Sequence, residues 1–136
     1  MKSKLNIYYI MKHLTTYEVF LITESKKYEH INFIPPKTVS NQAKRGLKYK
    51  LKNRLTKDEL SVKIAKKLIK RDKLTPGMIK QISSHFSRMK NREVDAKYKK
   101  EPWKDSKYIN YLLWGGESGR TWAERVRTQI AKADKK

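Results

Sequence analysis

Apolar residues return at helical spacing through most of the chain beyond residue 38, and the pattern stops and restarts where turn-forming residues stand. Val39, Ala43, Leu47 and Leu51 recur every four positions. They predict a first helix from about Val39 to Lys52, entered from the extended Pro35-Pro36 pair and capped by Thr38 or Ser40. Thr56-Lys57-Asp58-Glu59 has the form of a capping box, in which the threonine hydroxyl and the glutamate carboxylate each satisfy a free amide at a helix start. Leu60, Ile64 and Leu68 then line one face of a second helix. Thr75-Pro76 is a third start signal, and Met78, Ile82, Phe86 and Met89 form the apolar stripe of a helix ending near Asn91.

From Arg92 to Asp105 no period is visible, and the segment reads as a loop. Asp105 or Ser106 caps a short helix containing Ile109, Leu112, Leu113 and Trp114, which Gly115-Gly116 stops. Ser118 caps a last helix with the stripe Trp122, Val126 and Ile130, and the end from Lys132 is expected to fray. In the leader, Ile7-Tyr8-Tyr9-Ile10 and the stretch from Tyr17 to Thr23 favour strand by composition, yet neither alternates cleanly. The pattern predicts a mainly α protein: a compact bundle of about five helices behind an extended or irregular N-terminal segment. The divisions expected are a leader at 1–32, a basic helical domain at 33–131 and a frayed tail at 132–136.

Charge turns this generic bundle into one that calls for a partner. The 136 residues include 34 Lys and Arg against 13 Asp and Glu, a formal net charge of +21. Six basic and three acidic residues fall in the first 40 positions and 28 and 10 in the rest, so the excess lies beyond the Pro35-Pro36 pair. A compact domain with that much like charge repels itself, and a polyanion is the natural complement. There is no cysteine, which excludes a disulfide framework and thiolate zinc sites, and His13, His30 and His85 are too scattered for a metal cluster. No metal or other cofactor is expected. No run approaches the roughly 18 apolar residues that span a bilayer, so a membrane partner is not expected either.

The densest basic stretch, residues 44–73, holds 13 basic and three acidic residues. On two helices it makes a broad positive surface from Lys44, Arg45 and Lys48, then Lys63, Lys66, Lys67, Lys70 and Arg71. Lys80 and Arg88, with Gln81 and Ser84, occupy the outer side of the third helix, which raises a helix-turn-helix reading; the turn from Arg71 to Leu74 lacks the glycine usual in such motifs. These ten cations are the candidate nucleic-acid contacts. Lysine in preference to arginine suits neutralisation of the phosphate backbone more than reading of base edges, and a merely solvated lysine face is the plain alternative.

Trp103, Tyr108, Tyr111, Trp114 and Trp122 are able to stack on unpaired bases, but the spacing of Trp114 and Trp122 across the Gly-Gly turn favours core, leaving Trp103 as the exposed aromatic. Asp95-Ala96-Lys97 has the D-x-K form of some metal-dependent nucleases without the β-core and upstream aspartate those enzymes need. His85 falls beside Ile82 and Phe86 and reads as a structural or surface histidine. With no nucleophile elbow or P-loop in the chain, no enzymatic activity is expected.

Phe33-Ile34-Pro35-Pro36-Lys37-Thr38-Val39, Ala43-Lys44-Arg45-Gly46-Leu47, Phe86-Ser87-Arg88 and Leu112-Leu113-Trp114-Gly115-Gly116-Glu117-Ser118-Gly119 stand in that order, with Trp122-Ala123 behind them. Together they resemble a small domain recurrent in tailed-bacteriophage proteins, whose pattern is similar to PPxxV, AKRGL, an SPxTV-type helix start, FxRH and LLWGGDxGxxWA. The resemblance covers roughly residues 33 to 125 and implies a phage origin and a compact helical fold, with no particular activity attached. This chain departs from the pattern at Met89, where the family usually has His, and in the short basic turn from Arg71 to Leu74. Further upstream, Met11-Lys12-His13-Leu14-Thr15-Thr16-Tyr17-Glu18-Val19-Phe20-Leu21 resembles the capsid-targeting start of internal head proteins in T-even-type phages. Those leaders are removed after a Leu/Ile-x-Glu triplet, which Ile22-Thr23-Glu24 fits, so Glu24 is the implied cleavage position; Met11 also offers a second start codon.

The function expected from these readings is a non-enzymatic phage protein that binds the phosphate backbone without strong sequence specificity, DNA rather than RNA. The leader adds the capsid or prohead core as a further partner and the virion as the location. The alternative is a host-takeover or inhibitor protein in the host cytoplasm, turning the same basic face on an acidic host protein or into a nucleic-acid channel.

Overall fold

A computed structural model describes residues 27–53, 59–89 and 94–135 of the chain. The leader segment, with its strand-like stretches, Met11 and Glu24, lies outside the described residues, as does Thr56 of the capping box. Among the described residues there is no strand: five α-helices form the bundle, α1 (Lys37–Asn53), α2 (Glu59–Lys70), α3 (Pro76–Arg88), α4 (Ser106–Leu113) and α5 (Gly116–Asp134). Helix α1 is central and packs against α2, α4 and α5, while α3 packs chiefly on α5. The mainly α fold with an irregular N-terminal approach is as the pattern predicts.

The core is drawn from every helix: Val39 and Ala43 of α1, Ile64 and Leu68 of α2, Ile79, Ile82 and Phe86 of α3, Ile109, Leu112 and Leu113 of α4, and Trp122, Val126 and Ile130 of α5. Full burial of each large apolar side chain stabilises the fold by about 1.5–3 kcal/mol. Tyr28 and Ile31 belong to the same core although the residue pattern places them in the leader. The Tyr28 hydroxyl donates to Asp134, and Lys27 pairs with the same carboxylate at 2.9 Å, so the start of the described chain is clasped to the end of α5. Helix α5 accordingly continues through the buried Ala133 to Asp134, beyond the Lys132 at which fraying is expected.

Helix starts differ from expectation for identifiable reasons. The Pro36 carbonyl accepts from the amides of Val39 and Ser40 and opens α1 at Lys37, so neither Thr38 nor Ser40 caps it. Ser40 is instead buried, donating to the Ile69 carbonyl at 3.0 Å, which ties the first turn of α1 to the last of α2 and makes the pair antiparallel. Thr75 caps α3 through the Met78 amide, with Pro76 at the first helical position, as predicted. Asp105, not Ser106, caps α4 through the Tyr108 amide, and its other oxygen accepts from the Asp95 amide at 2.9 Å. The expected loop before it contains two short 3₁₀ turns, Ala96–Tyr98 and Pro102–Lys104. Gly115 takes a left-handed conformation at φ 109° between α4 and α5, so α5 starts at Gly116 and Ser118 lies inside it.

Three stripes also shift, and on α1 Leu47 is half-buried and Leu51 is 69% exposed. On α2 the buried positions are Ser61, Ile64, Ala65 and Leu68, whereas Leu60 is 48% exposed. Ser61 takes the inner position because its hydroxyl accepts from the buried Trp114 indole at 2.8 Å. Helix α3 ends at Arg88, with Ile79 and Ser83 joining Ile82 and Phe86 inside, while Met78 and Met89 are only half-buried.

Candidate nucleic-acid interface

Helix α1 carries Lys37, Lys44, Arg45, Lys48, Lys50 and Lys52 and no carboxylate, and α2 carries Lys63, Lys66, Lys67 and Lys70 with one, Glu59 in its first turn. At about 100° per residue, the positions opposite buried Val39, Ala43 and Gly46 are Lys37, Asn41, Lys44, Lys48 and Lys52. On α2 the positions opposite Ser61, Ile64, Ala65 and Leu68 are Glu59, Lys63, Lys66 and Lys70, with Lys67 beside them. Because α1 and α2 lie side by side over a shared core, these two stripes form one outward face.

All ten cations singled out from the sequence are exposed, but the fold does not bring them all together. Lys44 and Lys48 join Lys63, Lys66, Lys67 and Lys70 on the outward face, with Arg45 at its edge toward α4. Arg71 ends α2 in a left-handed conformation, φ 55°, with its amide on the Leu68 carbonyl and the Asp72 amide on that of Lys67, the hydrogen-bond pair of a Schellman turn usually completed by glycine. Its Nε donates to the Pro35 carbonyl at 2.8 Å, so part of this cation's role is to hold the Pro35-Pro36 segment against the turn. Lys80 acts on the carboxylate of Asp134 at the far end of α5, and Arg88 lines a cleft between α3 and α4. Helices α2 and α3 therefore do not present one recognition surface, since α3 turns its apolar stripe to α5.

Among the described residues four ion pairs form: Lys27 with Asp134, Lys104 with Glu101, and Arg120 with both Glu117 and Glu124. None involves a cation of α1, α2 or α3. Comparison with family models, with curated proteins and with solved structures found no match to this chain.

One member of the face is held in place. Arg45 donates from Nη2 to the Tyr108 hydroxyl at 2.5 Å and from Nε to the Tyr49 hydroxyl at 3.3 Å, with its guanidinium 5.6 and 5.7 Å from the two ring centroids. The Tyr49 hydrogen bond raises the arginine's pKa above its ordinary value, and burial raises that of the Tyr108 hydroxyl. The guanidinium keeps further donors for an incoming oxyanion in a geometry already set by the rings. Lys52 lies 3.7 Å above the centre of the half-buried Trp103 ring, so the tryptophan expected to be exposed is roofed by a cation. Tyr49, at four residues from Arg45, was within reach of sequence reasoning; Tyr108, 63 residues away, carried no such signal.

The remaining sequence candidates have structural partners. Asp95 accepts from the Lys97 amide and caps the first 3₁₀ turn. His85 stacks on Trp114 with centroids 3.8 Å apart and 15° between planes, and Trp114 and Trp122 are core. Among the described residues, no group of three His, Cys, Asp or Glu is placed to hold a metal ion, and no helix is long and apolar enough to cross a membrane. Motif glycines are packing residues: a Cβ on Gly46 would meet the Leu113 amide nitrogen at 2.8 Å, and one on Gly119 the Trp114 carbonyl at 2.6 Å. These close approaches seat α1 and α5 against the end of α4.

Proposed function

We propose that the chain binds nucleic acid, DNA rather than RNA, by phosphate contacts along the outward face of α1 and α2, as a non-enzymatic bacteriophage protein associated with the packaged genome. The observation that carries this reading is the charge arrangement of that face: Lys44, Arg45, Lys48, Lys63, Lys66, Lys67 and Lys70 are exposed, and none forms an ion pair among the described residues. Such a face repels itself until it meets a polyanion, whose condensed counterions its cations displace, and the counterions released drive binding independently of base sequence. The preset Arg45 fork adds a bidentate phosphate contact. The phage setting rests on the ordered motifs and on the leader that resembles a capsid address. A cut after Glu24 would leave Lys27 and Tyr28, which clasp the end of α5, on the mature chain.

An electrophoretic shift titration of duplex DNA across salt concentrations tests the binding mode. Log affinity is expected to fall linearly with log salt at about 0.9 per phosphate contact, and affinity to be nearly the same for unrelated sequences. Salt-insensitive binding, or capture of an acidic protein with no DNA affinity, defeats the reading. Mass spectrometry of virions tests the setting, with a peptide beginning at Ser25 expected.

A further inference from the structure

The cleft between α3 and α4 lies apart from the α1–α2 face and has a chemistry of its own. It measures about 240 Å³ and is lined by His85, Arg88, Met89, Lys107 and Asn110, with no carboxylate among the described lining residues. Trp114 fixes one wall. Its indole N–H donates to Ser61 Oγ at 2.8 Å, and the Ser61 hydroxyl donates to Asn110 Oδ1 at 2.7 Å. With its oxygen accepting from Ser61, the Asn110 amide has the two protons of its nitrogen to offer. The imidazole of His85 is stacked flat on Trp114 beside it. Arg88 of α3 and Lys107 of α4 supply a planar fork and a point charge, and neither is in an ion pair among the described residues. A recess with two cations and an amide N–H in its lining is complementary to a tetrahedral oxyanion.

We propose that this cleft is a discrete phosphate-binding site, with Arg88, Lys107 and the Asn110 amide as its donors. It is independent of the α1–α2 face, because its residues belong to other helices and its specificity comes from fixed donors and not from summed charge. The phosphate group is either free or the terminal phosphate of a strand.

The test is a ¹H–¹⁵N NMR titration of the full chain with inorganic phosphate, with a dinucleotide bearing a terminal phosphate, and with the same dinucleotide lacking it. Saturable shifts at Arg88, Lys107 and Asn110 are expected. Asn110→Asp keeps an acceptor for Ser61 while placing a negative charge in the cleft, and Lys107→Gln removes one cation from an exposed position; each is expected to weaken phosphate binding by roughly tenfold or more. A variant with Gln at 63, 66, 67 and 70 is expected to keep it, so failure of the cleft and failure of the lysine face are told apart. Tighter binding of the phosphorylated dinucleotide than of inorganic phosphate assigns the group to a strand end, and equal binding assigns it to free phosphate. Unsaturable shifts spread over the α1 and α2 lysines, wild-type affinity in both cleft variants, or equal response to the unphosphorylated dinucleotide overturns the proposal.

Discussion

Helices α2 and α5 carry the same number of cations, four each, and present them in opposite ways. In α5, Arg120 has Glu117 and Glu124 within 3.8 and 3.5 Å, one turn to either side, and Arg127 donates to the Ser83 hydroxyl on α3. The third carboxylate, Asp134, is taken by Lys27 and Tyr28. In α2, Glu59 is the lone carboxylate and stands in the first turn, where it favours the helix dipole, while Lys63, Lys66, Lys67 and Lys70 follow without an ion pair among the described residues. Carboxylates at three- and four-residue spacing turn cations into helix and tertiary contacts; without them the same cations remain as an uncompensated field. The number of cations alone does not distinguish these cases.

The comparison is broken most directly by neutralising each helix in turn. Replacing Lys63, Lys66, Lys67 and Lys70 by Gln is expected to lower the slope of log affinity against log salt by about 0.9 for each phosphate these lysines neutralise, whereas Arg120→Gln with Arg127→Gln leaves it unchanged. Reductions in proportion to the number of cations removed from each helix would show that only total charge matters. Next in size is Gly46→Ala, which forces a methyl group toward the Leu113 amide and Leu112 Cβ and is expected to cost about 1–3 kcal/mol in urea unfolding, without removing a cation from the face. Arg71→Ala removes the bond to the Pro35 carbonyl and keeps the left-handed turn; a loss of about 1 kcal/mol in stability is expected, larger in proportion than any change in salt slope.

The smallest effect concerns the clasp. The hydrogen bond from Tyr28 and then the approach of Lys27 hold the Asp134 carboxyl below its ordinary pKa, so the folded value lies under the unfolded one. Its contribution is therefore present in full above a pH of about 4 and is lost as pH falls through the lowered value. Asp134→Asn is expected to lower Tm slightly at neutral pH and to leave it unchanged near a pH of about 2. A Tm deficit that persists in acid would mean that charge at Asp134 plays no part.

Much of the fold was legible because the stripes Val39–Ala43, Ile64–Leu68, Ile82–Phe86 and Trp122–Val126–Ile130 report local geometry that a helix imposes on any chain. The misread positions are those that answer to distant partners. Leu60 yielded the inner place to Ser61 because an indole 53 residues away needs an acceptor, and Ser40 serves a carbonyl 29 residues away instead of capping its own helix. Of the candidate site, the α1 and α2 cations could be assigned to an outward face from spacing alone. That Lys80 and Arg88 stand elsewhere, and that Asn110 and Lys107 join Arg88 in a cleft, depends on how α3 and α4 pack.

By itself, then, the sequence determined the helical class, the helical phase of each lysine and the large positive excess, since periodicity, caps and charge are local properties. Tertiary structure decided which cations share a face, which are held by carboxylates or aromatic rings, and how close α1, α4 and α5 come at Gly46 and Gly119. Those outcomes are set by side chains meeting across tens of residues, where the spacing along the chain carries no record of the meeting.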